Sequence, residues 1–197
     1  MTEANSSNES IPPRHERFFV HQKVTAMVNR YQILAPDAEG KPGELVAFAE
    51  QKRLKLKEEI YFFTDETKTT PVVSLKSRQV IDLAARTDIL DPSGAEIAWF
   101  KKDAARSLAR STWKLSYGAV EATGTERSLP KALIRRLVDL PLRFHFDFTK
   151  NGTGEAVLRV ERQWSLRDRY EVEILDPALD FRVAAAMAVA LDVFQGR

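Results

Sequence analysis

The stretch DFRVAAAMAVALDVF, residues 180–194, is the one whose burial decides the fold. From Val183 to Leu191 it carries no polar side chain, so a helix built from it is apolar on every side and must be enclosed completely. A bilayer also encloses apolar helices, but a span needs about 20 apolar residues. Here Arg182 and Asp192 bracket a much shorter run, so a transmembrane segment is not expected. The pattern predicts a helix over about 177–194, with Asp176 as its N-cap and Pro177 in the first helical position, buried inside protein.

The rest of the chain indicates what encloses it. From Arg17 onward, short β-branched or aromatic runs alternate with turn clusters at the spacing of antiparallel strands. FFVHQKV, YQILAP and ELVAFAEQK come first, the last two separated by the hairpin loop DAEGKPG; IYFFTDE, PVVSLKS and DLAARTDIL follow. DPSG, in the order of a type I turn, then leads into AEIAWFKK. LRFHFDF sets Leu142, Phe144, Phe146 and Phe148 against Arg143, His145 and Asp147, the period of a strand with one buried face. EAVLRVERQWSLRDRYEVEIL reads as two more strands. Three segments break this rhythm: KKDAARSLARS (101–111) as a short helix or helical turn, SLPKALIRRLVDL (128–140) as an amphipathic helix, and the closing helix.

One sheet covers one face of a helix. A closed barrel of about a dozen strands is wide enough to surround it, and closure removes exposed sheet edges. Ala184, Ala185, Ala186, Ala188 and Ala190 keep such a helix thin enough to fit. The expected class is therefore mainly β (α+β), a closed antiparallel barrel around a hydrophobic C-terminal helix. It forms one domain over 17–197, preceded by a polar, disordered tail at 1–16 that does not read as a signal peptide.

Composition narrows the function. With 30 basic and 28 acidic residues the formal net charge is +2, which gives nucleic-acid binding little electrostatic support. The absence of cysteine removes thiolate nucleophiles, disulfides, cysteine zinc sites and thiol palmitoylation, and suits a cytoplasmic protein. His15, His21 and His145 have no metal-ligand spacing, so neither a metal nor another cofactor is expected. There is no GxSxG and no phosphate-binding glycine loop. Carboxylates such as Asp65, Glu66, Asp147 and Glu161 could pair across strands for acid and base work, but 28 acidic residues make such coincidences common. No catalytic residue is assigned. Asn151-Gly152-Thr153 fits a tight turn better than a glycosylation site, and Trp99, Trp113 and Trp164 fit barrel packing better than base stacking.

YQILAPDAEGKPGELVAFAEQKRLKLKEEIYFFTDE, TDILDPSGAEIAWFKKD, SLARSTWKL and the closing DFRVAAAMAVALDVF, in that order, resemble the tubby-like C-terminal fold, and within it the LURP-one-related proteins and phospholipid scramblases. The resemblance covers nearly everything after residue 16. It implies a twelve-stranded barrel threaded by the C-terminal helix. Tubby proteins bind phosphoinositides through basic residues near a short helix, scramblases are associated with calcium-dependent lipid movement, and LURP-one-related members are mostly of unknown activity. The scramblase cysteine cluster is missing, and ILDPALDF offers Asp176 and Asp180, too few for the six to eight oxygens calcium takes, so calcium-driven scrambling is not expected.

Basic clusters supply the candidate site. Lys102, Arg106 and Arg110 lie four apart and would form one stripe on a helix, with Lys101 and Lys114 close by. Cations so grouped suit lipid headgroups, each adding about 1 kcal/mol at an anionic membrane. KRLKLK (52–57) could extend that surface, and residues 128–140 could dock a partner. The expectation is a non-enzymatic domain, cytoplasmic or peripheral at a membrane, binding anionic phospholipid or phosphoinositide headgroups through Lys101, Lys102, Arg106 and Arg110. The alternative is a protein-interaction or stress-response module with no lipid role.

Overall fold

The structure, a computed structural model, describes residues 15–24, 28–52, 59–78, 85–108, 111–127, 145–163 and 169–195. Twelve strands form one closed antiparallel barrel: β1 Arg17–Val24, β2 Val28–Pro36, β3 Pro42–Lys52, β4 Glu59–Phe63, β5 Pro71–Ser77, β6 Thr87–Leu90, β7 Glu96–Lys102, β8 Thr112–Tyr117, β9 Val120–Glu126, β10 His145–Lys150, β11 Ala156–Arg162 and β12 Arg169–Ile174. Each strand pairs with its neighbours in sequence, and β12 closes on β1 through Arg17↔Glu173 to His21↔Arg169. Helix α1, Phe181–Gln195, runs through the interior.

The barrel's size follows from what it holds. Eight strands leave room only for side chains and sixteen enclose a channel; twelve lie between and accommodate a helix about 10 Å across. No residue from Val183 to Leu191 exposes more than 2% of its surface, as an all-round apolar helix requires. Inward-facing rows from the wall meet it, among them Phe146 and Phe148 of β10 and Val172 and Ile174 of β12. Gly124 of β9 lies opposite Phe148, and a Cβ there would come within 2.3 to 2.5 Å of the Phe148 ring. Phe148 is fully buried and has nowhere to swing. Gly124→Ala should therefore lower the urea midpoint by an amount equivalent to about 1–3 kcal/mol. An unchanged midpoint would show that the wall yields at this position.

The outer face carries the charges, and lateral pairing explains their balance. Asp147 and Glu161, candidates for a carboxylate pair, instead share Arg127, at 2.7 and 3.2 Å. Arg159 bridges Asp147 at 3.4 Å and Glu173 at 2.7 Å. Such exposed pairs contribute little each, yet they set cross-strand preferences all round the wall.

Two local expectations are corrected. First, α1 begins four residues later than Asp176 and Pro177 suggest. Asp180 is its N-cap, accepting the Arg182 N–H at 2.8 Å, while Asp176 accepts the Ala178 N–H at 2.9 Å in the preceding turn. Asp176 is drawn away from a capping role because Tyr117 and Lys150 hold its other oxygen. Second, of the two readings of residues 101–111, the helical turn holds and the short helix that would align Lys102, Arg106 and Arg110 does not. Lys101 and Lys102 complete β7, where cross-strand bonds to β8 continue, and among the described residues helical geometry is confined to the 3₁₀ turn Arg106–Leu108. The predicted helix at 128–140, residues 53–57 of KRLKLK and Trp164 lie outside the described residues.

Candidate functional site

Lys101 and Lys102 are consecutive in a strand, so their side chains point to opposite faces. Lys102 continues the inward row of Ala98 and Phe100 to the barrel mouth, where its Nζ lies 5.8 Å from the ring centre of Trp113, its cross-strand partner. Lys101 joins Trp99 on the outer face, 5.9 Å from that ring. Directly across from Lys101 stands Lys114 of β8. Like charges opposed across a ladder destabilise it. Among the described residues no carboxylate forms an ion pair with Lys101 or Lys102, whereas Lys114 reaches Asp103 at 3.6 Å.

Asp103 organises the turn that follows. Its N–H donates to the Thr112 carbonyl at 2.9 Å, its carbonyl accepts the Ser107 N–H at 2.8 Å, and its carboxylate accepts the Arg106 N–H at 3.2 Å. That backbone donor, with the charges of Lys114 and Arg106, holds the Asp103 carboxyl below the usual carboxylate range. Arg106 itself is 3.9 Å from Asp103 and largely exposed. Lys101 and Lys114 thus share the outer face beside Asp103 and Arg106, while Lys102 lies on the inner side of the same strand end; a turn and a register set this arrangement. The four-residue spacing of Lys102, Arg106 and Arg110 is not what brings them together, and Arg110 lies outside the described residues. The cluster has the chemistry to hold an oxyanion: ammonium and guanidinium donors around one buried-side acid that cannot neutralise them all.

Three arrangements have no signature in the linear sequence. On the outer wall, the Arg86 guanidinium stacks 4.7 Å from the Trp99 ring centre and pairs with Asp88 at 2.7 Å and with Glu96. Inside one barrel end, Asp192 of α1 accepts from Tyr31 Oη and Gln22 Nε2, both at 2.8 Å, and from Tyr170 Oη, which fastens the helix to β1, β2 and β12. At the other end, Asp176 accepts from Tyr117 Oη at 2.6 Å and pairs with Lys150 at 3.2 Å. Burial, and then the hydrogen bond to Asp176, push the Tyr117 phenol far above its ordinary range, so it stays protonated. Asp176, buried, and Asp192, half-buried, are each held by several donors and act as fasteners. Among the described residues no group of three His, Asp or Glu side chains is placed to hold a metal ion.

A family model for LURP-one-related proteins matches residues 45–192, from within the third strand to the last turn of the threaded helix. The chain belongs to the LURP-one-related family. This membership confirms the resemblance carried by the closing helix and the strand motifs before it. Among solved structures, this LURP-one-related chain is similar to a protein from Arabidopsis thaliana determined by X-ray crystallography, at 10% identity and a TM-score of 0.36, over 95% of each chain. No curated protein matches it in sequence. No described helix is long and apolar enough to cross a membrane.

Proposed function

We propose that this LURP-one-related barrel is a non-enzymatic, cytoplasmic module that binds an anionic membrane surface or phosphorylated headgroup through Lys101, Lys102 and Arg106, with Lys114 beside them. The observation that carries the reading is the opposed Lys101 and Lys114 pair, with Lys101 and Lys102 meeting no carboxylate among the described residues. Arginines elsewhere on the wall, such as Arg78, Arg127 and Arg159, are matched to acids. An anion seated between the two ladder lysines relieves their repulsion, which gives it differential affinity for this edge. Arg110 belongs to the same basic sequence and extends the proposal.

The test is co-sedimentation with phosphatidylcholine vesicles containing phosphatidylserine or phosphoinositide. Lys101→Ala, Lys102→Ala and Arg106→Ala together should weaken binding about 100-fold, from about 1 kcal/mol per cation near an anionic surface. Binding by the parent should fall steeply as salt rises. Equal binding by parent and triple variant would remove these residues from the site.

A further inference from the structure

The connections of this meander alternate between the two barrel ends, and α1 runs from one end to the other. Phe181 packs on Phe18, ring centres 4.9 Å apart, at the end where the helix enters. Phe194 packs on Trp113, at 5.9 Å, where it leaves. At the entry end, the described connecting residues 15–16, 37–41, 64–70, 91–95, 118–119, 151–155 and 175–180 carry nine carboxylates and two lysines. At the exit end, the described connecting residues carry Arg78, Arg86, Arg106 and Arg127 against Asp103 alone. Including the terminal residue of every strand keeps the signs: ten acids to four bases at entry, eight bases to three acids at exit. A net charge of +2 conceals this polarity.

Part of it serves the helix. A macrodipole places about half a positive charge at the N-terminus of α1 and half a negative charge at its C-terminus, and acids at entry and bases at exit complement both. One charge at each end would suffice for that, and the observed excess is several-fold larger. We infer that the barrel meets an anionic bilayer end on, exit end against the headgroups and entry end toward solvent. This rests on the lipid-surface reading above and adds to it the orientation and the extended nature of the anionic partner.

Two arguments carry it. The exit-end bases run around most of the wall, with Arg78 after β5, Lys102 on β7, Arg127 after β9, Arg162 on β11 and Arg169 on β12; Arg78 and Arg127 are half-exposed, so their pairs with acids of the wall are weak in water and leave them able to face an anionic surface. A plane of charge engages such a ring together, whereas a narrow strand of charge reaches one side of it. Screening then selects the orientation. The 15 residues of α1 span about 22 Å, roughly two Debye lengths at 0.1 M salt. End on, the surface feels the cations and is shielded from the acids; side on, both signs lie equally close and largely cancel.

The chain has no cysteine, so single thiols can report each end without background. Ala104→Cys at the exit end and Ala38→Cys at the entry end, both in exposed turns, would each carry an environment-sensitive fluorophore. The labelled proteins are mixed with phosphatidylcholine and phosphatidylserine vesicles containing a nitroxide lipid, at about 0.1 M salt, where the two barrel ends are screened from each other. Quenching several-fold stronger at residue 104 than at residue 38 is the expected result. Equal quenching, or stronger quenching at 38, with co-sedimentation intact would overturn the orientation while leaving lipid binding standing. Failure of the labelled and parent proteins to co-sediment at low salt would overturn the lipid reading and this inference with it.

Discussion

Ala186→Arg is expected to abolish the folded barrel. Ala186 is fully buried at the middle of α1, with wall residues on all sides, so no rotamer brings a guanidinium to water. An unpaired buried charge costs several kcal/mol after relaxation, and the added volume overpacks a core already closed around it. Against a total stability of about 5–15 kcal/mol for a domain, the two effects together leave no cooperative native state. Met187→Asp should behave alike, since Met187 is also fully buried and no donor lies in the apolar centre to satisfy a carboxylate. Ala104→Arg, in an exposed turn, is the matched control and should stay within about 0.5 kcal/mol of the parent. Circular dichroism during heating checks this: a soluble Ala186→Arg protein melting cooperatively at the parent temperature would mean that α1 is not the core.

The second large effect is expected at Asp176→Ala. Asp176 is 4% exposed, and its removal strands the buried Tyr117 hydroxyl and one contact of Lys150. Hydrogen bonds to a charged group contribute about 1.5–3 kcal/mol each, with a further penalty for the orphaned donor. A loss of about 3 kcal/mol corresponds to a fall of roughly 6–12 °C in melting temperature for a domain of this size. Asp180→Ala, which removes only the helix cap, should cost about 1 kcal/mol. A smaller loss for Asp176→Ala than for Asp180→Ala would refute the fastener role.

The pH dependence has a definite sign. Burial alone would raise the Asp176 carboxyl; the bonds from Tyr117, the Ala178 N–H and Lys150 outweigh it and hold the group below its ordinary range. A depressed carboxyl stabilises the fold fully above its unfolded pKa and loses that contribution as pH falls through the folded one. The stability gap between parent and Asp176→Ala should therefore be constant at neutral pH and shrink below about pH 4.

Both effects show which features a linear reading reaches. The all-round apolar run at Val183–Leu191 demanded an enclosure, and the strand periods supplied one, because both patterns are written between near neighbours in the chain. β9 and the true extent of β6 were less visible. VEATGTE has no aromatic or strongly apolar alternation, and its Gly124 is there for Phe148 rather than for strand propensity. The basic residues are legible in the sequence, but their spacing suggests a geometry that the structure does not have. Lys102, Arg106 and Arg110 have helical spacing, yet the ladder between β7 and β8 extends through Lys102 and replaces the helix with a strand end. Asp176 was the better N-cap by position beside Pro177, and lost that role to Asp180 because Tyr117 and Lys150, 59 and 26 residues away in sequence, claimed it.

By itself, then, the sequence determined that this chain surrounds its last helix with strands, and which residues of each well-patterned strand face inward, since helix and strand periods are local. Tertiary structure alone decided which side chains meet: Lys101 opposite Lys114, Arg86 over Trp99, Asp192 under two tyrosines, and acids and bases sorted to opposite ends. Those contacts depend on where each strand stops and how a closed ring of twelve registers, conditions that no single stretch of chain contains.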